Sequence, residues 1–480
     1  MPTQEVPCAA DLTPLLRGSG RGARAVVLDG RGADSWGDGR AVYADTPRAT
    51  LGVYASGWGE WRNGETLRWS RGAPIEQWRR FLAEAPALLP APRDDDAAGF
   101  LTVLSYDLKH WIERLPRRHA WPPGPVLYCA LYDWSCWTDY RARRAWVSAA
   151  TPAALEQRLA AVAAGTVASK LPAAEHGRSR LRPRIGKEAY RRMIAAALEY
   201  IAAGDVYQVN LAQQFTAAGN LADGVPLFAR LQQDYPMPFA AYVDGGDFVA
   251  VSNSPECFLR VDGDLVSTFP IKGTRAAGNG RGDPLAHADG LAQSPKEQAE
   301  HIMIVDLERN DLGRVCRTGS VEVAELAKVR SYPLLQHMIS HVRGRLRPDT
   351  SLPELIRATF PGGSITGAPK IRAMQIIEEL EPQPRGLYTG TIGWTDLHGN
   401  SRFNLAIRTA VLTTGGLTYA AGGGIVADSD AEREYAETLL KSEAFFRAWA
   451  AVEDPRLSPK VSIQSFAVRD LNLPPLAKGD

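Results

Sequence analysis

Two segments of this 480-residue chain set glutamates three residues apart: Glu297 and Glu300 in SPKEQAEHIMIVDLERND, and Glu434 and Glu437 in DSDAEREYAETLLKSEAF. On a helix that spacing puts both carboxylates on one face, and in the second segment Lys441 lies one turn beyond Glu437. Two such faces brought together would offer hard oxygen ligands. Mg²⁺ takes few carboxylates and leaves positions for substrate oxygens, whereas a di-iron centre asks for Glu-x-x-His, which neither segment supplies. Glutamates at this spacing also occur on solvated helix faces, so the pattern alone leaves both readings open.

Other residues could act on a substrate. In PIKGT, Lys272 stands between Ile271 and Gly273 after the strand-like LVSTFP. Out of water its ammonium is disfavoured, and the neutral amine becomes a nucleophile. Glu256, in the turn SNSPECF, is a candidate proton donor. Surface positions for both are the ordinary alternative. His337, in LLQHMISHV, is either catalytic or a satisfied core histidine. The segment FPGGSITGAPKIRAMQ runs a glycine-rich turn, containing Thr366 as a candidate substrate contact, into a helix that opens at Pro369-Lys370. A helix start of this kind binds carboxylate or phosphate, or simply packs a helix onto a sheet. Gly362 and Gly367 have P-loop spacing, but Ala368-Pro369 stand where Lys-Ser/Thr is required, which excludes a nucleotide loop. The clusters at Gly18–Gly22 and Gly278–Gly282 neither follow a clear strand nor open a helix, so they read as loops.

Positioning these groups takes ordered elements. Helices are expected near 75–88, at 151–164 with Thr151 as cap and Pro152 in the first turn, from Lys187, and near 295–310, 369–380 and 430–450. Between them lie short strands and hairpins, among them FAAYV, FVAVS and LVSTFP; Thr409 to Ala427 reads as a hairpin and a glycine loop at Gly422-Gly423-Gly424. Hairpins and helices without regular alternation indicate an α+β fold. The boundaries read as an N-terminal region at 1–150, a helix and polar linker at 151–186, one large domain at 187–452 and a tail at 453–480.

Composition restricts the class. Lys and Arg number 55 against 54 Asp and Glu, a net charge of +1. That argues against nucleic-acid partners and a polybasic membrane arm. The N-terminus lacks a basic and apolar leader pattern. Five cysteines (Cys8, Cys129, Cys136, Cys257 and Cys316) form no C-x-x-C pair, as expected of a reducing cytoplasm.

Taken together, GDVYQVNLAQQF (204–215), SNSPE (252–256), PIKGT (270–274), KEQAEHIMIVDLERNDLGRV (296–315), PGGSITGAPK (361–370), YTGTIGW (388–394), IRTAVL (407–412) and GGGIVADSDAEREYAETLLKSEAF (422–445) resemble the chorismate-utilising enzymes, in that family's order. GFLTVLSYDL (99–108) resembles its amino-terminal region more loosely. The resemblance implies two facing, mostly antiparallel sheets sandwiching the active site, with helices outside. It implies Mg²⁺ on Glu300 and Glu437, with Glu297 and Glu434 beside them. It further implies that Tyr388 and Arg408 hold the enolpyruvyl carboxylate of chorismate, and that Thr274, the backbone at Gly422, Gly423 and Gly424, and Lys441 complete the cradle. Lys272 resembles the mark of the aminodeoxychorismate synthase branch; anthranilate synthases carry alanine there. The implied nitrogen source is ammonia from a separate glutamine amidotransferase subunit, since no segment here resembles a glutaminase. An L-L-E-S type regulatory motif is absent from VVLDGRGADSWGDGRAVY (26–43), so tryptophan inhibition is not implied. The rival readings are anthranilate synthase, isochorismate or salicylate synthase, and a non-catalytic chorismate-binding subunit.

Overall fold

Runs of Val, Tyr, Trp and Ile broken by turn residues make strands that bury at least one face, and the chain meets that need by stacking two sheets. The computed structural model describes residues 2–7, 12–20, 22–31, 39–90, 98–166, 181–276, 295–331 and 335–453. Cys8, the glycine cluster at 278–282, the linker at 167–180 and the tail beyond residue 453 lie outside the described residues, as does the side chain of Thr274. Among the described residues each sheet has twelve strands, paired antiparallel. The α+β architecture of two large antiparallel sheets with helices is thus the one expected.

Neither sheet belongs to one part of the chain. In the first, Val26–Asp29 pairs with Phe239–Asp244; in the second, Gly99–Leu104 pairs with Thr391–Asp396. Val26, Leu28, Val42 and Ala241 of the first sheet pack against Leu101, Val103, Ala130, Ile392 and Trp394 of the second, forming a shared core. Burying a side chain of this size contributes roughly 1.5–3 kcal/mol. Two further apolar layers lie between the sheets and the helices.

Four strands and three helices position the site: β1 (Gln208–Ala217), β2 (Ile271–Ala276), β3 (Leu335–Arg345), β4 (Gly416–Ile425), α1 (Pro295–Gly313), α2 (Lys370–Leu380) and α3 (Ala431–Glu453). β1 and β4 are neighbours in the first sheet, β2 and β3 in the second. The three helices match the expected ones. α3 starts where the Asp430 carboxylate accepts the Arg433 N–H at 3.0 Å, an N-terminal cap that satisfies one orphan donor. Thr151 caps its helix in the same way through Ala154 N–H. One local expectation fails: Gly422–Gly424 form no loop but continue β4, paired with Ala212, Leu211 and Asn210. Glycine is required there for closeness rather than for turning. A Cβ at Gly422 would meet Leu211 O at 2.4 Å, and one at Gly424 would meet Gln208 Nε2 at 2.8 Å.

Candidate active site

A cavity of about 270 Å³ opens where the two sheets meet. β1 contributes Asn210 and β4 contributes Tyr419 to Gly422 and Gly424; from the other sheet come Ile271, Lys272, Gly273 and His337. Glu297 and Glu300 of α1 and Glu434, Glu437 and Lys441 of α3 complete its wall, with Glu256, Ser364, Tyr388 and Arg408. Residues spread over more than 230 positions of sequence therefore face one space.

The sequence K-G at 272–273 explains how the lysine gets there. Gly273 has φ +67°, and the register of β2 against β3 shifts between Lys272 and Thr274. A bulge of this kind re-aims a side chain, and the left-handed backbone it needs favours glycine. Lys272 Nζ donates to Ser364 O at 3.1 Å. Burial holds its pKa below the ordinary lysine value, against the pull of Glu300. Glu256 is buried, and its Oε1 accepts from Ser364 Oγ at 2.7 Å. Burial pushes this carboxyl up to about 7, with Ser364 and Lys272 opposing the rise. Ser364 therefore touches both groups: its carbonyl holds the amine and its hydroxyl the acid.

His337 Nδ1 lies 3.3 Å from Gly273 O, and Nε2 lies 3.1 Å from Arg408 NH2. A carbonyl only accepts and a guanidinium only donates, so the proton sits on Nδ1 and Nε2 is the acceptor. Burial and the Arg408 charge pull its pKa down to about 3, which keeps the ring neutral. The imidazole is thus positioned to orient Arg408 rather than to shuttle protons at neutral pH. Arg408 itself has φ +51°, a left-handed conformation uncommon for a residue with a side chain and found disproportionately at functional sites. Tyr388 lines the same cavity, and burial raises its pKa so that the phenol stays protonated.

Lys441 Nζ reaches Glu437 Oε1 at 2.6 Å and Gly422 O at 3.1 Å. Ser429 Oγ donates to Glu434 Oε1 at 2.6 Å. Among the described residues no three carboxylates, histidines or cysteines already converge on one point. The donor set nevertheless suits a hard cation: besides Glu256, four carboxylates line one cavity, and two of them approach the strand because residue 423 lacks a side chain. A Cβ at Gly423 would lie 3.1 Å from Glu434 Oε2 and 4.0 Å from Glu437 Oε1.

The structure leaves two candidates outside the cavity wall, Gly423 and Thr366. Thr366 is fully buried, its hydroxyl bonded to Gly362 O and Gly363 O; from the same turn it is Ser364 that lines the cavity. Nor does the start of α2 serve as an anion site. Lys370 there is ion-paired with Asp311 and donates to Thr359 O and Pro361 O, so it closes the turn. Gln208 and Asn210 were not singled out by type. Gln208 is fully buried, with neither amide atom partnered, and Asn210 lines the cavity beside the Tyr388 phenol. The available signal was two carboxamides two residues apart, which a strand presents on one face.

Comparison with known proteins agrees with this geometry. The family model for chorismate binding enzymes matches residues 37–447. Aminodeoxychorismate synthase component 1 of Klebsiella aerogenes is 38% identical over 397 residues, covering 82% of this chain and 87% of the relative. Anthranilate synthase component 1 of Pseudomonas putida is 43% identical over 267 residues, covering 56% and 54%. The crystal structure of anthranilate synthase component I from Streptococcus pneumoniae superposes with a TM-score of 0.69 at 27% identity, covering 89% of this chain and 93% of that one. No helix among the described residues is long and apolar enough to cross a membrane. The chain belongs to the family of chorismate binding enzymes.

Proposed function

We propose that this chain is the chorismate-aminating component of an aminodeoxychorismate synthase, working in the cytoplasm on the route to 4-aminobenzoate and folate. The observation that carries this reading is Lys272 in the cavity wall, tied to Glu256 through the single residue Ser364. The Lys272 amine forms a bond to C2 of the ring while both ring double bonds shift and the C4–O bond breaks. Glu256 supplies the proton with which the hydroxyl leaves as water. Ammonia then attacks C4, the double bonds shift back, and the lysine is expelled, giving 4-amino-4-deoxychorismate with its enolpyruvyl group intact. Arg408, oriented by His337, pairs with the enolpyruvyl carboxylate, and Tyr388 donates to it. Mg²⁺ on Glu300 and Glu437, with Glu297 and Glu434 alongside, would neutralise the ring carboxylate and fix the ring. A separate glutamine amidotransferase subunit supplies the ammonia.

Chromatographic identification of the product from chorismate, Mg²⁺ and ammonium tests the reading. Wild type is expected to yield 4-amino-4-deoxychorismate, and Lys272→Ala to lose that product by about 10²-fold or more, the scale of nucleophilic assistance in a well-oriented site. Anthranilate or isochorismate from wild type would overturn the assignment. Undiminished aminodeoxychorismate from Lys272→Ala would remove the covalent lysine step.

A further inference from the structure

Beneath the cavity, α1 turns a second carboxylate pair inward. Glu308 and Asp311 are buried and lie about two to four turns past Glu297 and Glu300, on the part of α1 that does not line the cavity. Asp311 is neutralised by Lys370. Glu308 has a different contact: its Oε1 accepts the backbone N–H of Gly363 at 2.9 Å. Gly363 opens the short turn Gly363–Ile365, and the next residue is Ser364, which holds both Lys272 and Glu256. The fit is close. A side chain at 363 would meet Leu307 Cδ2 at 2.7 Å and Glu308 Oε1 at 3.0 Å.

Resting on the reaction proposed above, we infer that Glu308 is a positioning residue: its carboxyl oxygen fixes the first N–H of the turn, so that Ser364 presents its carbonyl to the Lys272 amine and its hydroxyl to the Glu256 acid. Without that acceptor the Gly363 N–H is left buried and unpaired, and the turn is free to rotate toward another acceptor. Lys272 and Glu256 would then lose their common reference point together. What the turn needs is an oxygen acceptor, not a charge. Burial and Asp311 push the Glu308 carboxyl up to about 7, against Lys370, so its uncharged form is accessible near neutrality. Glutamine copies that form in shape.

Steady-state kinetics of the full chain with chorismate, Mg²⁺ and ammonium test this. Glu308→Gln, which keeps the acceptor, is expected to hold kcat within about threefold, whereas Glu308→Met should lower kcat by roughly 10–100-fold with KM for chorismate within about threefold, as a shift of about 1 Å at the reacting groups would. Should Glu308→Met fail to fold, Glu308→Asp draws the oxygens back by one methylene and is expected to show the same loss in kcat. The inference is overturned if the folded Met or Asp variant retains kcat, if KM rises in step with the loss, or if Gln is as impaired as Met. A wild type that leaves chorismate unchanged overturns the reaction itself; a wild type that makes aminodeoxychorismate beside an unimpaired Glu308→Met overturns only the role of Glu308.

Discussion

Glu256 makes opposite demands on stability and on catalysis. Its carboxyl holds a proton up to about pH 7 instead of the ordinary 4.5 because it is buried. The folded state thus binds that proton more tightly than the unfolded chain does. The stability from this linkage is full below about 4.5 and is lost as pH rises through about 7. Glu256→Gln should therefore raise the melting temperature relative to wild type at pH 8, with little gain at pH 5, as read by thermal melts at the two pH values. The same substitution removes the proposed proton donor and should lower kcat by about 10²–10⁴-fold. In wild type, kcat/KM should fall as pH rises past about 7, since the proposed mechanism works through the acid form. The sequence named both Lys272 and Glu256, because a lysine inside an apolar-glycine run is anomalous by type. It did not name Ser364. A serine in a glycine-rich turn looks like many others, and its importance lies in having one polar group on each of two neighbours.

Among the elements, the bulge in β2 governs where the lysine points. Gly273→Ala places a side chain at φ +67°, a conformation that costs an L-residue roughly 1–2 kcal/mol. Relief of that strain would flatten the bulge and turn Lys272 toward the opposite face, since a shift of one residue reverses every side chain. Gly273→Ala is expected to lose far more activity than stability: a urea midpoint near wild type beside a kcat reduced by about tenfold or more. Element type was readable here and element geometry was not. The helices appear where caps and periodicity place them. The extended Gly422–Gly424 run, read as a loop from composition, is a strand whose glycines admit Gln208, Leu211 and Glu434, and such neighbours come from distant positions that no local pattern encodes.

Across the whole molecule, the N-terminal part is built into the site's support. Lys109 and Glu378 are both buried and lie 2.9 Å apart. Burial alone would raise the Glu378 pKa, but His110 and Lys109 outweigh it and hold the carboxyl well below the usual range. The Arg118 N–H binds the same carboxylate at 2.9 Å. A few residues earlier, Asp107 Oδ2 accepts the Gly386 N–H at 2.8 Å, just ahead of Tyr388. Lys109→Met removes the permanent cation from the buried Glu378 carboxylate, leaving it only His110 and the Arg118 N–H, and should destabilise the fold by up to about 3–5 kcal/mol, measured by urea denaturation at pH 7. Lowering the pH until Glu378 takes up a proton should narrow the difference. These long-range pairs are invisible in the sequence: nothing in GFLTVLSYDL announces that its Asp107 meets Gly386, nearly 280 residues away.

The interleaved sheets also bear on how the protein is made. Strands emerge from the ribosome in order, but Gly99–Leu104 pairs with Thr391–Asp396, and the fully buried Val26–Asp29 pairs with Phe239–Asp244. At about 5–20 residues per second of synthesis, the first of these strands waits roughly 15–60 s for its neighbour. During that interval a nascent chain carries apolar strand edges with no native partner on that side. Such a chain is more exposed to aggregation than one whose sheets close in sequence order, and slowing translation would lengthen the exposure instead of helping the fold.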